Sequence, residues 1–134
     1  MNRTHLEGAA EKLTAQRGYT LYTGPEDDMG HTVRNYPAAW LAPPELHAVE
    51  GRTHGRATYD MTLHLLRPGA RISPAERRTA LAEMEAQMIE IFAELSLDER
   101  ILAVEGLSVR PRSFSLTPHG EISQTATARI VTWF

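Results

Sequence analysis

A chain of 134 residues with 42% hydrophobic and 23% charged side chains has the composition of one globular domain, large enough to bury roughly 70% of its unfolded surface. A formal charge of −3 argues against a general nucleic-acid binder, which carries a basic excess on one face. With no cysteine, disulfides, cysteine zinc sites and thiol nucleophiles are excluded, and no window approaches the roughly 18 to 20 apolar residues of a membrane-spanning helix.

Met1–Lys12 lacks the cationic segment and apolar core of a targeting peptide, so a soluble, untargeted chain is expected. Thr4-His5-Leu6-Glu7 has the form of a capping box, in which the threonine oxygen and the glutamate satisfy free backbone N–H groups. Leu6, Ala9, Ala10 and Leu13 then recur at helical spacing and Gly18 can close the turn, which predicts a helix over about 5–17. Tyr19–Thr23 alternates as a brief strand and stops at Gly24-Pro25. Glu26–Asn35 is acidic, glycine-containing and without periodicity, and reads as an exposed, mobile loop whose order depends on a partner.

Pro37–Leu41 and Leu46–Glu50 are short apolar runs separated by Pro43-Pro44, and fit two small strands joined by a proline turn. After Gly51 and Gly55, strict alternation begins. Ala57, Tyr59, Met61, Leu63 and Leu65 fall on one face, and Thr58, Asp60, Thr62 and His64 on the other. Ser73-Pro74-Ala75-Glu76 is a second capping box, with proline placed where its missing N–H costs nothing. Leu81, Met84, Met88, Ile91 and Leu95 form the apolar stripe of a long helix over about 74–95.

Leu102–Arg110 and Ser113–Leu116 read as strand, with a kink or bulge at Pro111, and Pro118-His119-Gly120 as a turn. The last strand sets Ile122, Ala126, Ala128, Ile130 and Phe134 opposite Thr125, Thr127, Val131 and Trp133. Both faces become apolar at its end, which calls for a covering helix or another subunit. The fold class expected is α+β, a mainly antiparallel sheet packed by one long and one shorter N-terminal helix, in a single domain over 1–134.

Chemistry is sparse. The six histidines His5, His31, His47, His54, His64 and His119 show no metal-binding spacing on a helix. Convergence of His47, His54 and His64 with Asp60 across neighbouring strands would be needed for a metal site, and scattered surface or sheet histidines are the simpler reading. Glu26, Asp27 and Asp28 lack the alternation of a calcium loop. Ser73 is occupied as a helix cap, and neither a nucleophile elbow nor a phosphate loop is present. Arg110, Arg112 and Phe114 juxtapose guanidinium and aromatic groups, an arrangement common in exposed sheets and weak as an RNA grip. Neither catalytic residues nor cofactor nor metal is expected.

The order of elements, with Tyr36-Pro37-Ala38-Ala39-Trp40-Leu41, the long strand Tyr59-Asp60-Met61-Thr62-Leu63-His64-Leu65, the Ser-Pro-capped helix and the closing strands, resembles the tail-terminator or tail-completion proteins of long-tailed bacteriophages or prophages. The resemblance covers nearly the whole chain at the level of layout. It implies a homo-oligomeric ring, commonly a hexamer, that caps the tail tube and meets the head–tail connector, first in the bacterial host cytoplasm and then in the virion tail. It also implies the absence of catalytic residues; from hydropathy and charge, neither a membrane partner nor specific nucleic-acid binding is expected. Tyr36, Trp40, Trp133 and Phe134 are the interface candidates. Two alternatives are another neck or minor tail component, and a small-ligand-binding or enzymatic domain whose pocket between long helix and sheet gathers His64, Asp60 and Glu50.

Overall fold

The computed structural model describes residues 2–112 and 120–134. The first helix, α1 (Asn2–Ala15), begins ahead of the expected cap, so Thr4 lies inside its first turn. Tertiary contact overrides the local signal here: the Asn2 amide donates to Thr132 Oγ1 at 2.9 Å and to the Trp133 carbonyl at 2.7 Å, tying the helix start to the last strand. A turn at Gly18, with φ 86°, closes the element.

Strand β1 (Thr20–Thr23) runs parallel to β2 (Ala38–Leu41), from Thr20 beside Ala38 to Thr23 beside Leu41. The segment between them is not the irregular loop expected. A 3-10 turn (Glu26–Asp28) leads into the single-turn helix α2 (Met29–Thr32), and Met29 and Val33 are buried. Two apolar anchors four residues apart, set among acidic and polar residues, are too few to show as periodicity.

The long strand β4 (Gly55–Arg67) organises the sheet. Along one edge it pairs antiparallel with two strands placed end to end: β3 (Glu45–Gly51) beside its first half and β2 beside its second. Pro43-Pro44 lies between these partners, where neither proline interrupts a ladder. The other edge pairs along its length with β6 (Ile122–Trp133), which in turn pairs with β5 (Ile101–Pro111). Every pairing except β1 with β2 is antiparallel. The bulge expected at Pro111 lies instead between Glu105 and Ser108, while Pro111 stays in register with Gln124. Gly106 supplies the left-handed backbone that the extra residue requires, with φ 62°. The expected strand at Ser113–Leu116 and the turn at 118–120 lie, apart from Gly120, outside the described residues.

Helix α3 (Pro74–Leu95) starts where the sequence indicates, with Ser73 Oγ accepting from the Glu76 N–H at 3.1 Å. Its buried residues Met84, Met88, Ile91, Phe92 and Leu95 pack with Leu6, Ala10 and Leu13 of α1 on one face of the sheet, against Met61, Leu63, Leu65, Ala126 and Ile130. Burial of the five α3 side chains alone contributes on the order of 10 kcal/mol before chain entropy is charged against it. The opposite face holds a smaller core of Met29, Val33, Ala38, Trp40 and Leu66 beneath α2, with Tyr22 and Tyr36 against it. The result is an α+β fold with two helices on one face and a short strap on the other.

Candidate assembly interface

The end of the sheet formed by the β3–β4 hairpin and the C-terminus leaves several large apolar side chains uncovered. Gly51 and Gly55 face each other across the turn, and Gly55 and Phe134 exchange backbone hydrogen bonds, N–H to carbonyl at 3.3 Å and 3.1 Å. A Cβ on Gly55 would lie 2.1 Å from the Glu50 carbonyl oxygen and 2.7 Å from the Phe134 ring. Glycine therefore allows the terminal aromatic ring to lie against the hairpin. Phe134, Leu46, Val49, Ala57 and Tyr59 line an open depression of about 570 Å³ next to Asn2 and Arg3 at the start of α1.

Strand alternation turns Trp133 to the other face of the same end. Trp133 is 49% exposed and Phe134 46%, while Leu46 and Val49 on the neighbouring strand are 52% and 55% exposed. The two-sided apolar terminus seen in the sequence is thus an exposed surface of this chain. Tyr36 is half-buried against the smaller core.

Trp40 corrects the sequence reading, because it has no exposed surface and is not available as an interface residue. Its ring stacks on Tyr22 at 6.5 Å between centroids and 18° between planes, and its indole N–H donates to the Gly24 carbonyl at 2.9 Å. The sequence could not show that residues 26–33 fold back over this face.

The polar residues do not assemble into the pocket considered above. His64 and Asp60 lie on the sheet face away from α1 and α3, and Glu50 is in register with Arg56 near the far end of β4. His47 Nδ1 approaches Asp60 Oδ2 at 3.3 Å, and Arg129 Nε approaches Asp60 Oδ1 at 3.5 Å. His64 is held elsewhere, so the three histidines do not converge. Among the described residues no group of three or more His, Cys, Asp or Glu side chains is placed to hold a metal ion.

His64 forms an arrangement that the sequence did not reveal. Its Nε2 lies 2.9 Å from Glu26 Oε1 and its Nδ1 2.7 Å from Thr125 Oγ1, which also accepts from Arg112 Nε at 3.1 Å. Burial lowers the His64 pKa, and the Glu26 carboxylate opposes that shift only in part. In the neutral ring Nε2–H donates to Glu26 and Nδ1 accepts from the Thr125 hydroxyl, so each contact is satisfied. The cluster pins the 3-10 turn to the sheet. Its members are 38 and 61 residues from His64, too far apart for any local motif to signal them.

A second unforeseen feature lies between α1 and the end of α3. Ala9, Leu13, Leu95 and Leu97 line an open groove of about 850 Å³, and His5 Nε2 meets Asp98 Oδ2 at 2.7 Å on its rim. Burial acts to raise the Asp98 pKa, but the Arg100 backbone N–H at 2.8 Å and the His5 ring outweigh it and hold it lowered. Arg112 is engaged with Thr125 and Arg110 Nε with Ser108 Oγ at 3.2 Å, while Phe114 of the same trio lies outside the described residues.

No helix of the described residues is long and apolar enough to cross a membrane. No protein-family model and no curated protein matches this chain.

Proposed function

We propose that this chain is a structural virion-assembly protein of the tail-terminator kind, which forms a homo-oligomeric ring on the end of a phage tail tube and joins tail to head. The observation that carries the reading is the exposed apolar surface at one end of the sheet, where Leu46 and Val49 of β3 stand at the surface together with Trp133 and Phe134 at the end of the chain. Exposed apolar patches of this kind mark protein–protein contacts. The layout supports the same reading, since a rigid sheet braced by two helices carries the patch on regular strands and not on a loop. No catalytic role is assigned. Arg17, in the turn after α1, pairs with Glu90 and Glu94 of α3 and so binds one element to another.

The test is deletion of the coding sequence in the phage or prophage that carries it, followed by electron microscopy of the lysate. Tails of uncontrolled length, unjoined to heads and restored to fixed length by the supplied chain, are the expected result. Normal tails of unchanged length in the deletion would overturn the proposal.

A further inference from the structure

Among the described residues three strands border the sheet: β1 beyond β2 and β3 beside β4 on one side, and β5 on the other. β3 borders it beyond β4, and β5 borders it beyond β6; among the described residues neither has a strand on its outer side. Such an edge offers backbone N–H and C=O groups to a strand of suitable direction. Across β3, β4, β6 and β5 the directions alternate, because each neighbouring pair is antiparallel. A β3 set against the β5 of another copy therefore runs antiparallel to it, and the alternation continues from one copy to the next.

The edge side chains are complementary in the same sense. β3 carries half-exposed Leu46 and Val49 between Glu45 and Glu50. β5 carries exposed Leu102 and Leu107, with Arg100 just before it and Arg110 near its end. Glu50 and Glu105 each have an arginine in register within the chain, Arg56 and Arg129, whereas Glu45 is in register with Asp60 and leaves the start of β3 acidic. Two β3 edges would bring like charges together, and so would the arginine-bearing ends of two β5 edges, but a β3 set antiparallel to a β5 can bring Glu45 to Arg110, with Leu46 beside Val109 and with Glu50 near Glu105, each of which keeps its own in-register arginine.

Resting on the ring reading above, we infer that copies of this chain join head to tail, the β3 edge of one pairing with the β5 edge of the next. The contact is heterologous, so each copy uses both edges and the sheet continues around the assembly.

Solution mass by light scattering tests this with two variants, Glu45→Arg with Leu46→Arg on β3, and Leu107→Glu with Arg110→Glu on β5. Circular dichroism establishes that each is folded; if either double variant is not, Glu45→Arg and Arg110→Glu alone replace them. The wild type is expected to assemble, and each variant alone to stay monomeric through like charges at the contact. An equimolar mixture is expected to regain the wild-type mass, because reversed β3 meets reversed β5 and the unaltered edges meet each other. Variants that keep the wild-type mass, or a mixture that stays monomeric, overturn the edge pairing while leaving the ring reading in place. A wild-type chain that is monomeric at every concentration overturns both.

Discussion

Trp40→Ala distinguishes a core aromatic from an interface aromatic at the one candidate where sequence and structure part. The side chain has no exposed surface, so its removal deletes all of its packing against Tyr22 and the strap over the second sheet face. A buried tryptophan covers about 200 Å², which at about 25 cal/mol per Å² is an upper value of about 5 kcal/mol. Partial collapse of the site reduces this, and losses of about 3–5 kcal/mol are usual for such truncations. The lost indole bond adds little, because Gly24 is only half-buried. Trp40→Phe keeps most of the ring and should cost about 1–2 kcal/mol. The assay is urea unfolding followed by far-UV circular dichroism, which does not depend on the deleted indole. A Trp40→Ala loss below about 1 kcal/mol would refute the assignment of Trp40 to the core.

Trp133→Asp should leave folding within about 1 kcal/mol of wild type, since the ring is half-exposed, while lowering the assembled mass; an unfolded monomer by circular dichroism would place Trp133 in the core instead. Stability should fall as the pH drops below about 6.5, because burial holds the folded His64 pKa under its ordinary value and the unfolded chain takes up the proton first. That loss proceeds until the lower folded pKa is passed, and His64→Gln should flatten it in urea titrations across this range; an unchanged slope would show that other groups cause it. Asp98 acts in a different window: its contribution is full above its unfolded value of 3.8 and is lost as the pH falls through its lowered folded value, so Asp98→Asn should weaken the chain at neutral pH and lose its effect in acid. Ser73→Ala removes the α3 cap and should cost about 1 kcal/mol by the same unfolding assay, with Ser73→Asp restoring it and no change at all counting against the capping role.

The parts of the fold that were legible in the sequence are those set by short-range pattern. The alternation from Ala57 to Leu65 separates the two sheet faces correctly because period-two order follows from strand geometry alone. Ser73-Pro74 locates the start of α3 to the residue because capping is a local hydrogen bond with a local signature. Where a distant contact decides, the local signal misleads. Asn2 starts α1 early through bonds to Thr132 and Trp133, 130 and 131 residues away, and Met29 and Val33 draw an acidic segment onto the sheet. The same segment buries Trp40 and fixes Glu26 against His64, so one unrecognised strap accounts for both the misassigned aromatic and the unforeseen histidine cluster. At the apolar end Trp133 and Phe134 are half-exposed, because a strand that is apolar on both faces at its last residues leaves one face unburied unless another element covers it.

Self-assembly is the property on which the functional proposal turns, and the solution mass of the wild-type chain by light scattering across a range of concentrations measures it directly. The expected result is a stable or concentration-dependent species of several subunits. A mass of one subunit at every concentration would contradict it.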